Sequence, residues 1–343
     1  MSKEKELLEA IKDVNVTLVA KLIEENADVN YIDDDKASYG LTWPLLHHCI
    51  FKASSPRKKG HTEIATLLLA NGADIEGVNH MGETPALFSI KYFAPEILEL
   101  LIQKGANIHT VSRQGKNGNT AFDIILDRYY YDQKLDLDHI DDEESEAAKE
   151  AIRKGEGSSL TAMYARIDAL VKAGYDLEAG EYSAALCTMF EIEQKKIPTK
   201  ALSYLFNKGA DPRAYVTLGE HRIPLFAYAC HIDLPVELLE DMATRIGLNY
   251  VFNEYDDNEP LTIAIMNDNL ALVKKLIERG ANVRAQEERP LLQACATGSL
   301  KIVEYLVEHG ADVHYLDKTG KKIIDFAEQN NFPAAVVEYL KSK

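Results

Sequence analysis

Apolar residues recur along the chain at fixed distances from a small turn. Counting back from Gly72, Gly105, Gly280 and Gly310, the positions eight, seven and four residues earlier are apolar each time: Ile64/Ala65/Leu68, Ile97/Leu98/Leu101, Leu272/Val273/Leu276 and Ile302/Val303/Leu306. With Asn26 as the marker the same offsets give Leu18/Val19/Leu22. A spacing of i, i+1, i+4 puts three side chains on one helical face, so each triplet predicts a helix with one buried stripe. The glycine ends that helix, because the position after the C-cap adopts a left-handed backbone that glycine reaches most cheaply and asparagine next. The turn itself reads Gly-Ala-Asp/Asn at 72–74, 105–107, 209–211, 280–282 and 310–312, with looser copies at 26–28, 174–176 and 247–249.

A shorter helix is predicted upstream of each long one. Its signal is proline at the first helical position, where the missing N–H costs nothing: Thr84-Pro85-Ala86-Leu87, Ile223-Pro224-Leu225-Phe226, Glu259-Pro260-Leu261-Thr262 and Arg289-Pro290-Leu291-Leu292. A polar loop such as Glu76–Gly82 joins each turn to the next proline. Every unit therefore reads loop, short helix, longer helix, turn. The turn markers at 72 and 105, and at 247 and 280, stand 33 residues apart. A fixed period in this range marks an array of stacked units, each burying its apolar side against its neighbours.

These motifs resemble the ankyrin-repeat family. The evidence is Thr-Pro-x-Leu at 84–87, the stretch Gly298-Ser299-Leu300-Lys301-Ile302-Val303-Glu304-Tyr305-Leu306, and Gly-Ala-Asp-Val-His at 310–314. The resemblance runs over nearly the whole chain. It implies an all-α ankyrin-repeat solenoid of about nine helix-turn-helix units with loop insertions. Residues 1–343 then form one array, with capping units at 1–30 and 313–343. One departure is plain. The family's histidine, which follows Thr-Pro-Leu and hydrogen-bonds the turn, is read as absent, with Leu87, Asp123, Phe226, Thr262 and Leu292 in its place. The function that the resemblance implies is that of a non-catalytic scaffold, binding a partner protein through the concave face and loop tips.

The period breaks twice. The turns at 26 and 72 are 46 residues apart, and the excess falls in the basic loop 53–60. The turns at 105 and 174 are 69 apart, which predicts an insertion at 127–157 within one repeat. From Asp132 to Glu150 nine acidic residues face Lys134 and Lys149, a balance of −7. Asp136 and Asp138 do not begin a calcium loop of the EF-hand kind, which needs a further oxygen ligand, a glycine and a glutamate at set positions.

Composition narrows the function. The net charge of −17 argues against nucleic acid and against anionic membrane surfaces. No run of 18 apolar residues predicts a membrane span, and the N-terminus lacks the apolar core of a signal peptide. Cys49, Cys187, Cys230 and Cys295 are scattered, as expected of reduced thiols in a cytoplasmic protein. His47-His48-Cys49 cannot jointly face one metal, because adjacent helical residues point about 100° apart; Cys49 and Cys295 read as small core residues. Nucleophile, P-loop, dinucleotide and zinc motifs are missing, so the reading has no catalytic residue, no metal and no cofactor. The array is expected to act as a monomer.

Aromatic residues gather at the loops, and large rings bind at low entropic cost. The expected contact residues are Tyr31, Asp33, Asp34, Trp43, Asn79, His80, Met81, Arg113, Lys116, Tyr215, His221, Tyr255, Asp256 and Tyr315. Two alternatives stand beside the scaffold. One is a bacterial or viral effector, secreted and using the repeats to engage host proteins. The other is an enzyme with a site built on the insertion near 127–160.

Overall fold

The computed structural model describes residues 2–33, 42–53, 60–112, 120–138, 158–175, 177, 199–218, 221–253, 255 and 257–343. The chain divides into two compact units, Met1–Leu177 and Glu178–Lys343.

The first unit holds four helix pairs: α1 (Lys3–Lys12) with α2 (Val16–Glu24), α3 (Leu45–Ala53) with α4 (His61–Ala70), α5 (Pro85–Lys91) with α6 (Pro95–Gln103), and α7 (Ala121–Asp138) with α8 (Ser158–Lys172). The first helices of the pairs stack as α1, α3, α5, α7, and the second helices as α2, α4, α6, α8. α7 continues through Asp138, so the opening of the stretch read as an insertion is helical. Residues 139–157 lie outside the described residues.

The second unit opens with α9 (Thr199–Asn207). Four pairs follow: α10 (Leu225–His231) with α11 (Val236–Ile246), α12 (Pro260–Met266) with α13 (Leu270–Glu278), α14 (Ala285–Thr297) with α15 (Leu300–Glu308), and α16 (Ile323–Gln329) with α17 (Ala334–Lys341). Here too first helices stack on first helices and second on second.

The apolar triplets form the core. Val19, Ile64, Ala65, Leu68, Leu101, Leu272, Val273, Leu276, Ile302, Val303 and Leu306 are wholly buried, and Leu22, Ile97 and Leu98 nearly so. Leu18 is half-buried. Each Gly-Ala-Asp turn is a Schellman cap. The Gly72 N–H donates to the Leu69 carbonyl and the Ala73 N–H to Leu68; Ala106, Ala281 and Ala311 repeat the longer bond to Leu101, Leu276 and Leu306. The acid or amide then folds over the chain ahead. Asp28, Asp74, Asn107, Asp211, Asn282 and Asp312 each accept the backbone N–H two residues on, at 2.9–3.0 Å. The recurring phrase is thus a helix stop, a buried methyl and a loop-starting acceptor.

Proline opens α5 and α12 at the first helical position, with Thr84 capping α5. Pro224 stands one residue ahead of α10, as Pro44 does ahead of α3. That shift corrects the reading of the family's histidine. Leu45, not Pro44, is equivalent to Pro85, which puts His47 in the position held by Leu87. His47 is wholly buried, and its Nε2–H donates to the Glu83 carbonyl in the next repeat's loop at 2.9 Å. The histidine is present in one repeat. Ala227, rather than Phe226, holds the place in α10. In α7, Asp123 closes a capping box, accepting from the Thr120 N–H and hydroxyl at 2.7 Å each.

The inter-repeat loops are short antiparallel hairpins that an all-helical reading leaves out. β1 (Ile32–Asp33) pairs with β2 (Trp43–Pro44), and β3 (Tyr215–Leu218) with β4 (His221–Pro224). Single bridges join Phe252 to Asn258 and Leu316 to Lys322. The buried thiols Cys49, Cys230 and Cys295 are reduced, and burial pushes each up to about 12.

Candidate functional site

The first helices of the first unit carry a row of rings that crosses from one repeat to the next. Trp43 meets His48, Phe51 and Phe88 at centroid distances of 5.3, 5.3 and 5.1 Å. Phe51 and Phe88 both touch Tyr92, at 5.0 and 4.5 Å. The row is anchored by Phe88, which is 1% exposed, and opens outward through Phe51 at 37%. On the next helix Tyr131 is 54% exposed. Each helix of the row also brings a cation against a ring: Lys52 over Phe51, Lys91 over Tyr92 and Arg128 over Tyr131, at 6.0, 5.9 and 4.8 Å.

A groove of about 430 Å³ lies between α5 and α7, walled by Met81, Tyr92, Arg128 and Tyr131. At its base Lys91 Nζ meets the Glu83 carboxylate at 2.7 Å, and the glutamate side chain is almost fully buried. Asn79 holds that loop. Its side-chain oxygen accepts the Met81 and Glu83 N–H groups at 2.9 and 3.0 Å, and its amide donates to Glu83 at 2.9 Å. In the last repeat Asp317 does the same work, accepting from the Thr319 and Lys321 N–H groups at 2.8 and 2.9 Å. Hairpin touches hairpin as well: the His80 N–H donates to the Thr42 carbonyl at 3.2 Å.

Of the residues expected to make contacts, Trp43 and Met81 are half-buried in this region and His80 is exposed beside them. Asn79 is 4% exposed and serves the loop internally. Tyr31 is half-buried after the first turn, and Asp33 pairs in β1. In the second unit Tyr215 lies in β3 with the Arg222 guanidinium 4.7 Å over its ring and Phe252 edge-on at 6.2 Å. His221 is exposed in β4; Tyr255 and Tyr315 are half-buried in later loops. Asp34, Arg113, Lys116 and Asp256 lie outside the described residues. Phe51, Tyr92 and Tyr131 were missed by the sequence reading because it searched loops. The signal was there: an aromatic within one turn of a basic residue, in or just after three successive first helices.

Among the described residues no cluster of histidine, cysteine or carboxylate side chains could hold a metal ion. No described helix is long and apolar enough to cross a membrane.

Stacked helix pairs joined by hairpins, with Schellman-capped turns and a ring-bearing first-helix face, define a repeat protein of the helix-turn-helix class. A family model of ankyrin repeats matches the chain in three copies, over residues 7–112, 229–319 and 261–343. The chain belongs to the ankyrin-repeat family. An ankyrin repeat protein of Coxiella burnetii is 32% identical over 129 residues, 34% of this chain and 36% of that relative. One of Acanthamoeba polyphaga mimivirus is 33% identical over 111 residues, 32% of this chain and 64% of its own. An ankyrin repeat protein of Variola virus is 28% identical over 132 residues, 38% of this chain and 22% of its own. The chain thus spans less than two thirds of each of these relatives.

Proposed function

We propose that the protein is a non-catalytic scaffold that binds a partner protein through the first-helix face of the first unit. The observation that carries this reading is the ring row from α3 to α5, buried at Phe88 and open at Phe51, with Tyr131 exposed on α7 across the groove from Tyr92. Interfaces draw most of their affinity from a few aromatic anchors set in packed surroundings. Lys52 and Arg128 beside those rings then govern partner choice and association rate more than affinity. The test is affinity capture from the native cell with the wild type and with Phe51→Ser/Tyr131→Ser, read by mass spectrometry. Both side chains are substantially exposed, so the double variant keeps its helical circular dichroism. A specific partner set is expected to disappear with the variant; the same set captured by both proteins removes this face from the reading.

A second reading is favoured by the sources of the relatives, one bacterium and two viruses. In it the repeats engage proteins of a host cell. Capture from a host extract compared with capture from the producing organism's own extract separates the two.

A further inference from the structure

Four of the exposed large apolar side chains share one place in the repeat. Ile32, Val78, Val111 and Leu316 each stand four residues after the acid or amide of a turn, at Asp28, Asp74, Asn107 and Asp312. They are 48%, 39%, 48% and 53% exposed. A lone apolar residue on a surface needs no explanation, but the same exposed place in successive units does. Extended backbone alone does not supply it. β-branched residues suit that backbone, yet threonine suits it too and exposes less apolar surface, and Leu316 is not branched at Cβ. The place is polar at Gln286 in the second unit, whereas the first unit keeps it apolar in three consecutive loops.

Those three loops are locked side by side. The Asn30 side chain bonds to Gly72 and Asp74 in the next turn, and Glu76 accepts the Asn107 N–H at 2.7 Å in the one after. The Thr110 hydroxyl lies 3.4 Å from that of Thr84. Ile32, Val78 and Val111 therefore follow one another at the spacing of the repeats, about 10 Å for packed helices. Between the first two loops lies a hollow of about 380 Å³, walled by Val29, Ile32, Pro44 and Val78, with Asp74 its one charged lining residue. Asp28, Asp74 and Glu76 accept backbone N–H groups, which leaves their charge in place. No lysine or arginine occurs in 26–33 or 71–80, so this part of the row is acidic as well as apolar.

We propose that this row binds an extended, basic segment of a partner protein that carries an apolar side chain at every third residue. A polyproline-type strand rises about 9 Å over three residues, so such side chains fall on one face at nearly the spacing of the loops. The first two seat against Ile32 and Val78 across the hollow, and the third against Val111. Lysine or arginine between them meets the carboxylates of Asp28, Asp74 and Glu76, which favours a basic segment over an acidic one. Loops already held by their clasps lose little freedom on binding. The site is built of loop residues and shares no ring with the first-helix row, so it rests on the scaffold reading but not on that face.

The test is a fluorescence-anisotropy titration of labelled peptides with the full-length chain. The probe is Leu-Pro-Lys repeated three times, in which each proline holds the leucine before it extended. One control has the same composition with its three leucines consecutive; another replaces each lysine by glutamate. The probe is expected to bind, and each control about tenfold more weakly. Ile32→Thr/Val78→Thr/Val111→Thr should weaken the probe by about tenfold, and Phe51→Ser/Tyr131→Ser should leave it unchanged. Threonine keeps the extended backbone, so the triple variant retains its helical circular dichroism; if it does not, Val78→Thr alone takes its place with a smaller expected loss. Equal binding of probe and controls overturns the proposal, as does an unchanged affinity in the threonine variant, or binding to no peptide. Self-association of the wild type that the threonine variant abolishes also overturns it, since a second copy then covers the row. Loss of partners from the Phe51/Tyr131 variant in the capture experiment leaves this site standing, so the two readings fail separately.

Discussion

Asn30 reaches from one repeat into the next and clasps the turn at Asp74. Its side-chain oxygen accepts the Asp74 N–H at 2.7 Å, and its amide donates to the Gly72 carbonyl at 2.9 Å. Three other turns are held at the same backbone N–H by a preceding side chain: Asn107 by Glu76 at 2.7 Å, Asn282 by Asn249 at 2.9 Å and Asp312 by Glu288 at 3.0 Å. Repeats in an array are coupled through nearest-neighbour interfaces, and these bonds are one polar part of that coupling. Asn30→Ala removes two of them and is expected to cost about 1–2 kcal/mol. Chemical denaturation of the wild type and variant checks this; an unchanged midpoint means that solvent replaces both bonds without loss.

His47 gives the fold an acid-sensitive point. Burial holds its imidazole down at about 4, against 6.5 in the unfolded chain, so in that window the native state binds fewer protons. Stability is at its full value above pH 6.5 and falls as the pH drops through 6.5 towards 4. The loss from this residue is roughly 3 kcal/mol. His47→Leu, the residue type at the equivalent position 87, should be less stable than the wild type at neutral pH because the Glu83 carbonyl loses its donor. It should also be less sensitive to acid. Denaturation midpoints of both proteins between pH 7 and pH 4 are expected to converge; parallel curves exclude His47 as the source.

Lys91 and Glu83 form a partly buried pair at the base of the first-unit groove, 2.7 Å apart. Removing one partner strands the other, whereas removing both does not. Lys91→Met is expected to cost about 2–3 kcal/mol, less than a fully buried pair because the lysine keeps some solvent contact. Lys91→Met/Glu83→Gln should recover part of that loss. A double variant as unstable as the single one would show that packing of the lysine stem, not its charge, is what matters.

Val14 occupies the left-handed position between α1 and α2 at φ 60°, where the equivalent turn before α15 uses Gly298. A β-branched side chain is poorly suited to that backbone. Val14→Asn is expected to stabilise the chain by about 1 kcal/mol, asparagine being tolerated there. Thermal melting measures it. A lower melting temperature would mean that valine packing outweighs the strain. Gly298 has a second constraint, since an added Cβ would lie 2.6 Å from Pro333.

Much of the architecture was legible in the residue pattern. The triplets behind each turn glycine named buried side chains because a helix ties spacing in sequence to one face in space. The Gly-Ala-Asp phrase marked helix ends because a left-handed cap and an aspartate turn are made by adjacent residues. Pro85 and Pro260 located helix starts for the same local reason. His47 escaped because its role depends on a helix beginning at Leu45 rather than Pro44, a one-residue shift that no neighbour announces.

The sequence by itself determined the repeat, its period and its core, since all three follow from bonds and spacings within one unit. Only the tertiary structure decided which side chains of different units meet. It joined Asn30 to Gly72 and Asp74, and drew Trp43 of β2, Phe51 of α3 and Tyr92 at the end of α5 into one row. Those contacts bridge long separations along the chain. They arise from the stacking of neighbouring pairs, which local propensity does not encode.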